Sequence, residues 1–126
     1  MAGARRNGLK SLTKVSEQEI ADAKAQIGAC GIGCEPASAA TLAGIRKLRM
    51  SNVIAENADV VAVLTGNLLK DPDYIYRYHT GQLQAPNGVP IHPTYGNQPT
   101  VVPNDADKIA ELLGAAGRVS RVRDLY

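Results

Sequence analysis

The chain has no tryptophan and no phenylalanine, and three of its five tyrosines fall in "YIYRY" at 74–78. A core built without large aromatics must be filled by Val, Ile, Leu and Ala, which favours close packing over bulk. Cysteine is scarce too. Cys30 and Cys34 are four positions apart, a spacing that matches no common zinc pattern, and His79 and His92 lie far off in sequence. Two structural thiols fit a reducing compartment. No apolar run reaches the roughly 18 residues that a membrane-spanning helix needs. "MAGARRNGLK" carries charge but lacks the apolar segment of a secretory signal. A cytoplasmic location is the expectation. The net charge of +2 leaves no basic stripe interleaved with aromatics, so nucleic acid is a poor fit. The arginines sit mostly at the ends, at Arg5 and Arg6 and at Arg118, Arg121 and Arg123, where they read as solvated termini.

What is present is a chain of 126 residues, enough for one domain with a moderate core. "SLTKV" at 11–15 alternates and is β-prone. Ser16, with Glu19 three residues on, forms a capping box. The stretch 17–28 then sets Ile20, Ala23 and Ile27 on one helical face, with Lys24 at the polar margin and Gly28 as a C-cap. "GIGC" is a very short strand candidate. Pro36 suits the first turn of a second helix, continued by Leu42, Ile45 and Leu48 and ended by "RKLR", a basic end favourable to the helix dipole. "VVAVLTG" at 60–66 is the best strand candidate, a continuous apolar run of the kind buried on both faces. "NLLKDPD" is a turn region, and "YIYRYHTGQL" fits a helix or a strand equally. Four of the seven prolines fall in 84–100, which reads as irregular loop. "TVV" reads as a short edge strand. Residues 104–117 form a last helix capped by Asn104 or Asp105 and stopped at Gly114 or Gly117.

This order predicts an α/β fold: a short parallel β-α-β-α-β unit with an extra C-terminal helix. The predicted division is a flexible terminus at 1–10, an α/β unit at 11–80, a Pro-rich loop at 81–103, a helix at 104–117 and a tail at 118–126. A continuous apolar strand wants cover on both faces. The cover comes from the final helix or from outside the chain.

Ligands of open parallel sheets sit where strands end and helices begin. Two such junctions stand out, Cys34-Glu35-Pro36-Ala37-Ser38 and Leu64-Thr65-Gly66-Asn67. Thr65 offers a hydroxyl, and Gly66 lets a ligand approach the backbone. Glu35 can cap its helix, and Ser38 in the first turn can bond the local backbone. Lys70 would need burial to act as a nucleophile, and "KDPD" looks exposed. No nucleophile–base pair supports a small hydrolase. "GACGIG" matches neither the P-loop nor the full dinucleotide fingerprint.

"GIGCEPASAATLAGIRKL" followed by "VVAVLTGNLLKDPD" resembles the C-terminal part of threonine synthase, and "VSEQEIADAKAQIG" resembles the segment before it. The resemblance covers roughly residues 11–80. It implies part of a fold-type-II pyridoxal-phosphate enzyme, whose parent converts O-phosphohomoserine and water to threonine and phosphate. It further implies that Thr65 hydrogen-bonds the pyridine nitrogen of the cofactor, that Gly66 keeps the ring edge uncrowded, and that Glu35 stands at the pocket wall. The small run at 37–40 becomes packing surface beside the cofactor. Asn67 departs from the family, where many members have His. The family's Schiff-base lysine, an asparagine beside the ring and the phosphate-holding loop all lie upstream of the matched region. The resemblance therefore implies a fragment, inactive alone, that pairs with the N-terminal part of threonine synthase or self-associates through exposed sheet surface. The small-molecule substrate belongs to the intact enzyme. A non-catalytic α/β interaction or regulatory module derived from the same family is the alternative.

Overall fold

The computed structural model describes residues 13–115; the expected flexible terminus at 1–10 and tail at 118–126 lie outside the described residues. Among the described residues four helices are formed: α1 (Glu17–Ala29), α2 (Pro36–Met50), α3 (Pro72–His79) and α4 (Ala106–Ala115), with a 3-10 turn at Leu68–Lys70. The capping box is present. Ser16 Oγ accepts from the Glu19 amide at 3.2 Å, and the Glu19 carboxylate accepts from the Ser16 amide at 2.6 Å. α1 runs one residue past Gly28, and the left-handed turn falls to Gly31 at φ +77. "YIYRYH" resolves as helix, led by Pro72 in its first turn. Asp105 starts α4, its carboxylate accepting from the amides of Asp107 and Lys108.

α1 and α2 pack through small residues. Ala23 and Ala39 are wholly buried, Ala43 nearly so, and Ile27 and Cys34 complete the cluster. Val15, Ile20, Leu42 and Leu64 pack around it. A second cluster, Ala21, Tyr78, Leu83 and Ile91, joins the other side of α1 to α3 and the Pro-rich loop. Tyr78 is its hub. Its hydroxyl donates to Asp22 at 2.6 Å and accepts from the Tyr95 amide at 3.1 Å. The loop is irregular, as its prolines imply, yet it is pinned. Gln18 on α1 exchanges two hydrogen bonds with the backbone of His92, both 2.8 Å.

The parallel β-α-β-α-β unit is not formed. Among the described residues there is one isolated antiparallel bridge, Gln84 to Pro90, and no sheet. Residues 13–15 of the first candidate, 31–34, 60–66 and 100–102 are not strands. The reason is one of partners. A strand cannot satisfy its own backbone; it needs neighbours at about 4.8 Å. The run at 60–66 has none. Val61 is 89% and Val63 66% exposed, whereas a buried strand was expected. Leu64 alone of that run tucks against the α1–α2 cluster.

Lys24 also departs from expectation. It is 6% exposed rather than at a polar margin. Its stem lies in the apolar interior and its ammonium donates to the Cys34 carbonyl at 2.6 Å. Burial holds this amine below the usual lysine range.

Two outcomes follow from this packing. Ala39→Leu forces a branched side chain into the helix contact and costs about 1–3 kcal/mol, read from the urea unfolding midpoint. The second concerns alkaline pH. Burial pushes the Tyr74 phenol up to about 12, and burial with the Asp22 hydrogen bond pushes Tyr78 up as well. A phenol raised in the folded state gives its full stabilisation below the ordinary value of about 10 and loses it as pH rises through the folded value. Stability therefore falls between about pH 10 and 12, and Tyr74→Phe makes that fall shallower.

Candidate functional site

The two junctions singled out in the sequence meet. Glu35 occupies the N-cap position of α2 and Pro36 its first turn, which aims Ser38 across the helix start toward the segment after Leu64. Four contacts join the pieces. The Ser38 hydroxyl accepts from the amides of Thr65 at 3.1 Å and Gly66 at 3.0 Å, and lies 3.3 Å from Thr65 Oγ1. The Glu35 amide donates to the Gly66 carbonyl at 3.1 Å. Ser38 is buried and Thr65 is exposed, so the threonine hydroxyl stands at the surface on a buried support.

Glu35 does not cap its helix through its side chain. Its carboxylate reaches Lys70 at 2.7 Å, and Lys70 is exposed, as "KDPD" implied. The carboxylate lies over Gly66. A Cβ built at Gly66 would overlap the Glu35 carboxylate carbon, so glycine here makes room for a side chain of the same chain. Gly33 plays a similar part, since a Cβ there would sit 2.7 Å from Leu68 Cβ. Asn67 caps the 3-10 turn, its Oδ1 accepting from the Leu69 amide at 2.8 Å. That gives this position a local structural role.

Thr65, Gly66 and Glu35 are thus brought together. Reading the residues one by one missed two partners. Ser38 was assigned to its own backbone, yet it bonds residues 27 and 28 positions on. Its place in the first turn, three after Glu35, was the available signal. Lys70 was weighed as a nucleophile, and it is a counter-ion. Cys34 is buried beside them, its thiol pushed up by burial, while Cys30 is exposed. A separate cavity of about 310 Å³ lies between α1 and α3, bordered by Lys24, Tyr74 and Tyr78.

The crowding at Gly66 is testable. Gly66→Ala displaces Glu35 and parts it from Lys70. The loss in melting temperature is expected to shrink when Glu35→Ala is made first, with a coupling on the order of 1 kcal/mol in the double-mutant cycle.

No family model matches the chain. Curated proteins do. A threonine synthase of Methanosarcina acetivorans is 47% identical over 62 residues, 48% of this chain and 15% of that protein. One from Synechocystis is 43% identical over 72 residues, 56% of this chain and 18% of its own. One from Halalkalibacterium halodurans is 42% identical over 73 residues, 57% of this chain and 20% of its own. The matched stretch therefore spans a fifth or less of the length of each of these relatives. The resemblance carried by the Glu-Pro-Ala-Ser and Thr-Gly motifs is borne out: over about half its length this chain is similar to a part of several threonine synthases.

Proposed function

We propose that this chain supplies one wall of a threonine synthase active site, the wall facing the pyridine nitrogen of pyridoxal phosphate, and is inactive until the rest of the site is provided. The carrying observation is the docked junction, with an exposed Thr65 hydroxyl fixed on buried Ser38. The donor set suits that edge of the ring. A neutral hydroxyl can hydrogen-bond a ring nitrogen without protonating it. The one carboxylate of the junction, Glu35, is engaged by Lys70, so it is not a free acid beside the ring. When bound, pyridoxal phosphate supplies an electron-accepting ring for the negative charge that develops on the substrate carbon.

This chain's own residues would then divide the work. Thr65 orients the ring through its nitrogen and leaves that nitrogen uncharged, which moderates the pull on electrons. Gly66 makes room for the Glu35 carboxylate at the edge of the site. Glu35, paired with Lys70, walls the site without adding net charge. The whole reaction, O-phosphohomoserine and water to threonine and phosphate, belongs to the completed enzyme.

The partner we propose is the N-terminal part of a threonine synthase. The segment at 60–63 supports it. Its valines are exposed and its backbone joins no ladder, as expected of a strand sequence awaiting neighbours. The same feature supports a second reading, a non-catalytic interaction module whose exposed run binds another chain or a second copy.

Mixing separates the two. The full chain is added to a separately expressed N-terminal part of a threonine synthase, and phosphate release from O-phosphohomoserine is followed. Release is expected from the mixture and from neither part alone, with Thr65→Val lowering it about tenfold, the weight of one hydrogen bond to a buried acceptor. Complex formation without phosphate release would favour the interaction module.

A further inference from the structure

The cavity of about 310 Å³ between α1 and α3 stands apart from the junction: Glu35, Ser38, Thr65 and Gly66 do not border it. Small residues make its room. Ala21, Ala25, Gly28 and Ala29 line it from α1, and Ile75 and Tyr78 line it from α3. Ala21 and Tyr78 are buried and form its floor, while Gly28 and Ala29 are exposed at its mouth. A Cβ built at Gly28 meets nothing within 4 Å, so the mouth is open. An apolar cavity of about 150 Å³ takes benzene, and this one has room for a ring and a substituent.

One charged group belongs to it. Lys24 borders the cavity, is 6% exposed and in its charged form has three protons to donate. One goes to the Cys34 carbonyl at 2.6 Å, and no second acceptor engages the amine among the described residues. Burial holds this amine below the usual lysine range, with Cys34 and Asp71 acting the other way to a smaller extent. Among the described residues no Asp, Glu, Arg or second Lys borders the cavity. Two other polar groups of its wall are donors. The buried Tyr74 hydroxyl has no hydrogen-bond partner among the described residues. His79 Nδ1 accepts from the Asn97 amide at 2.9 Å, so the neutral ring carries its proton on Nε2. An apolar chamber with donors and a single cation disfavours an amine. It also disfavours a phosphate dianion, whose second charge would be buried without a partner.

We propose that this cavity binds a small monocarboxylate with an apolar body, its carboxylate paired with the Lys24 ammonium and its body against the alanines of α1 and Ile75. A buried charge is costly alone and far less so when paired and hydrogen-bonded. The ligand supplies the counter-charge that the cavity wall lacks. Its body covers apolar surface that the small side chains of α1 leave without contacts. The assignment stands on the cavity and its lining, and holds whether or not the chain completes a threonine synthase.

The test is an NMR titration of the isotope-labelled full chain with benzoate, benzamide and benzylamine, which share a ring and differ in charge. Benzoate is expected to shift the amides of Ala21, Ala25 and Ile75 and to saturate at concentrations on the order of millimolar. Benzamide is expected to bind at least about tenfold more weakly, because a neutral hydrogen bond replaces a charge-assisted one. Benzylamine is expected to leave those amides unmoved. Lys24→Met keeps the apolar stem without the charge and brings benzoate down to the benzamide level. Ala25→Leu grows into the cavity and weakens both. Amides of Ala39 and Ala43, in the α1–α2 contact, report whether each variant is folded. Benzoate shifts scattered over the surface, benzamide or benzylamine binding as tightly as benzoate, or benzoate binding undiminished in folded Lys24→Met would each overturn the proposal. If Lys24→Met does not fold, the three probes on wild type and on Ala25→Leu decide.

Discussion

Two helices touching through alanine hold the described fold in place. Ala23 on α1 faces Ala39 and Ala43 on α2, and all three are buried. Without side chains beyond Cβ at the contact, the backbones approach closely and dispersion contacts are dense. Close approach also fixes where α2 begins. Cys34 sits in the same cluster, so the turn that leads into α2 is anchored from within. Glu35, Pro36 and Ser38 inherit their positions from that anchor. The site is therefore a consequence of small-residue packing several ångströms away.

The same constraint explains what the fold leaves open. Helices satisfy most of their own backbone groups; α1 starts at a capping box, and α2 and α3 each start at a proline. The valine run at 60–63 has no such recourse. Its sequence suits a buried parallel strand, and parallel strands need neighbours separated by long crossovers. With no adjacent strand among the described residues, the run joins no sheet, and its valines are exposed. Leu64 is the point where it returns to the core, and Thr65 and Gly66 follow at once. The junction is held from the α2 side by Ser38 and Glu35, independently of any sheet. That is why the two motifs meet although the sheet expected between them is not formed.

How much could be read from the residues divides along that line. Local signals held. The capping box at Ser16 and Glu19, the proline at the start of α2 and the acidic cap at Asp105 each depend on neighbours within a turn. The strand pattern of 60–66 is legible as well, but a strand is a statement about partners, and partners are not local. Lys24 failed differently. Helical periodicity placed it at the edge of the apolar face, and periodicity cannot see that a long stem would reach the Cys34 carbonyl inside. At the site, Thr65, Gly66 and Glu35 were found by type and by resemblance. Ser38 and Lys70 were not given their true roles, because a hydroxyl bond spanning 27 positions and an ion pair spanning 35 leave no mark on spacing.

Charge at the junction is arranged with some economy. The carboxylate of Glu35 occupies the space that a Cβ at residue 66 would take, and Lys70 balances it. Lys70 is largely exposed, so the pair contributes little to stability in water. Its effect is on the field. An unbalanced carboxylate over Gly66 would favour a positive charge nearby. With Lys70 at 2.7 Å that bias is offset. The Glu35–Lys70 pair and the Ser38 bonds to the Thr65 and Gly66 amides both lie outside the alanine contact of α1 and α2, so the junction is held by contacts of its own on a frame that the alanines set.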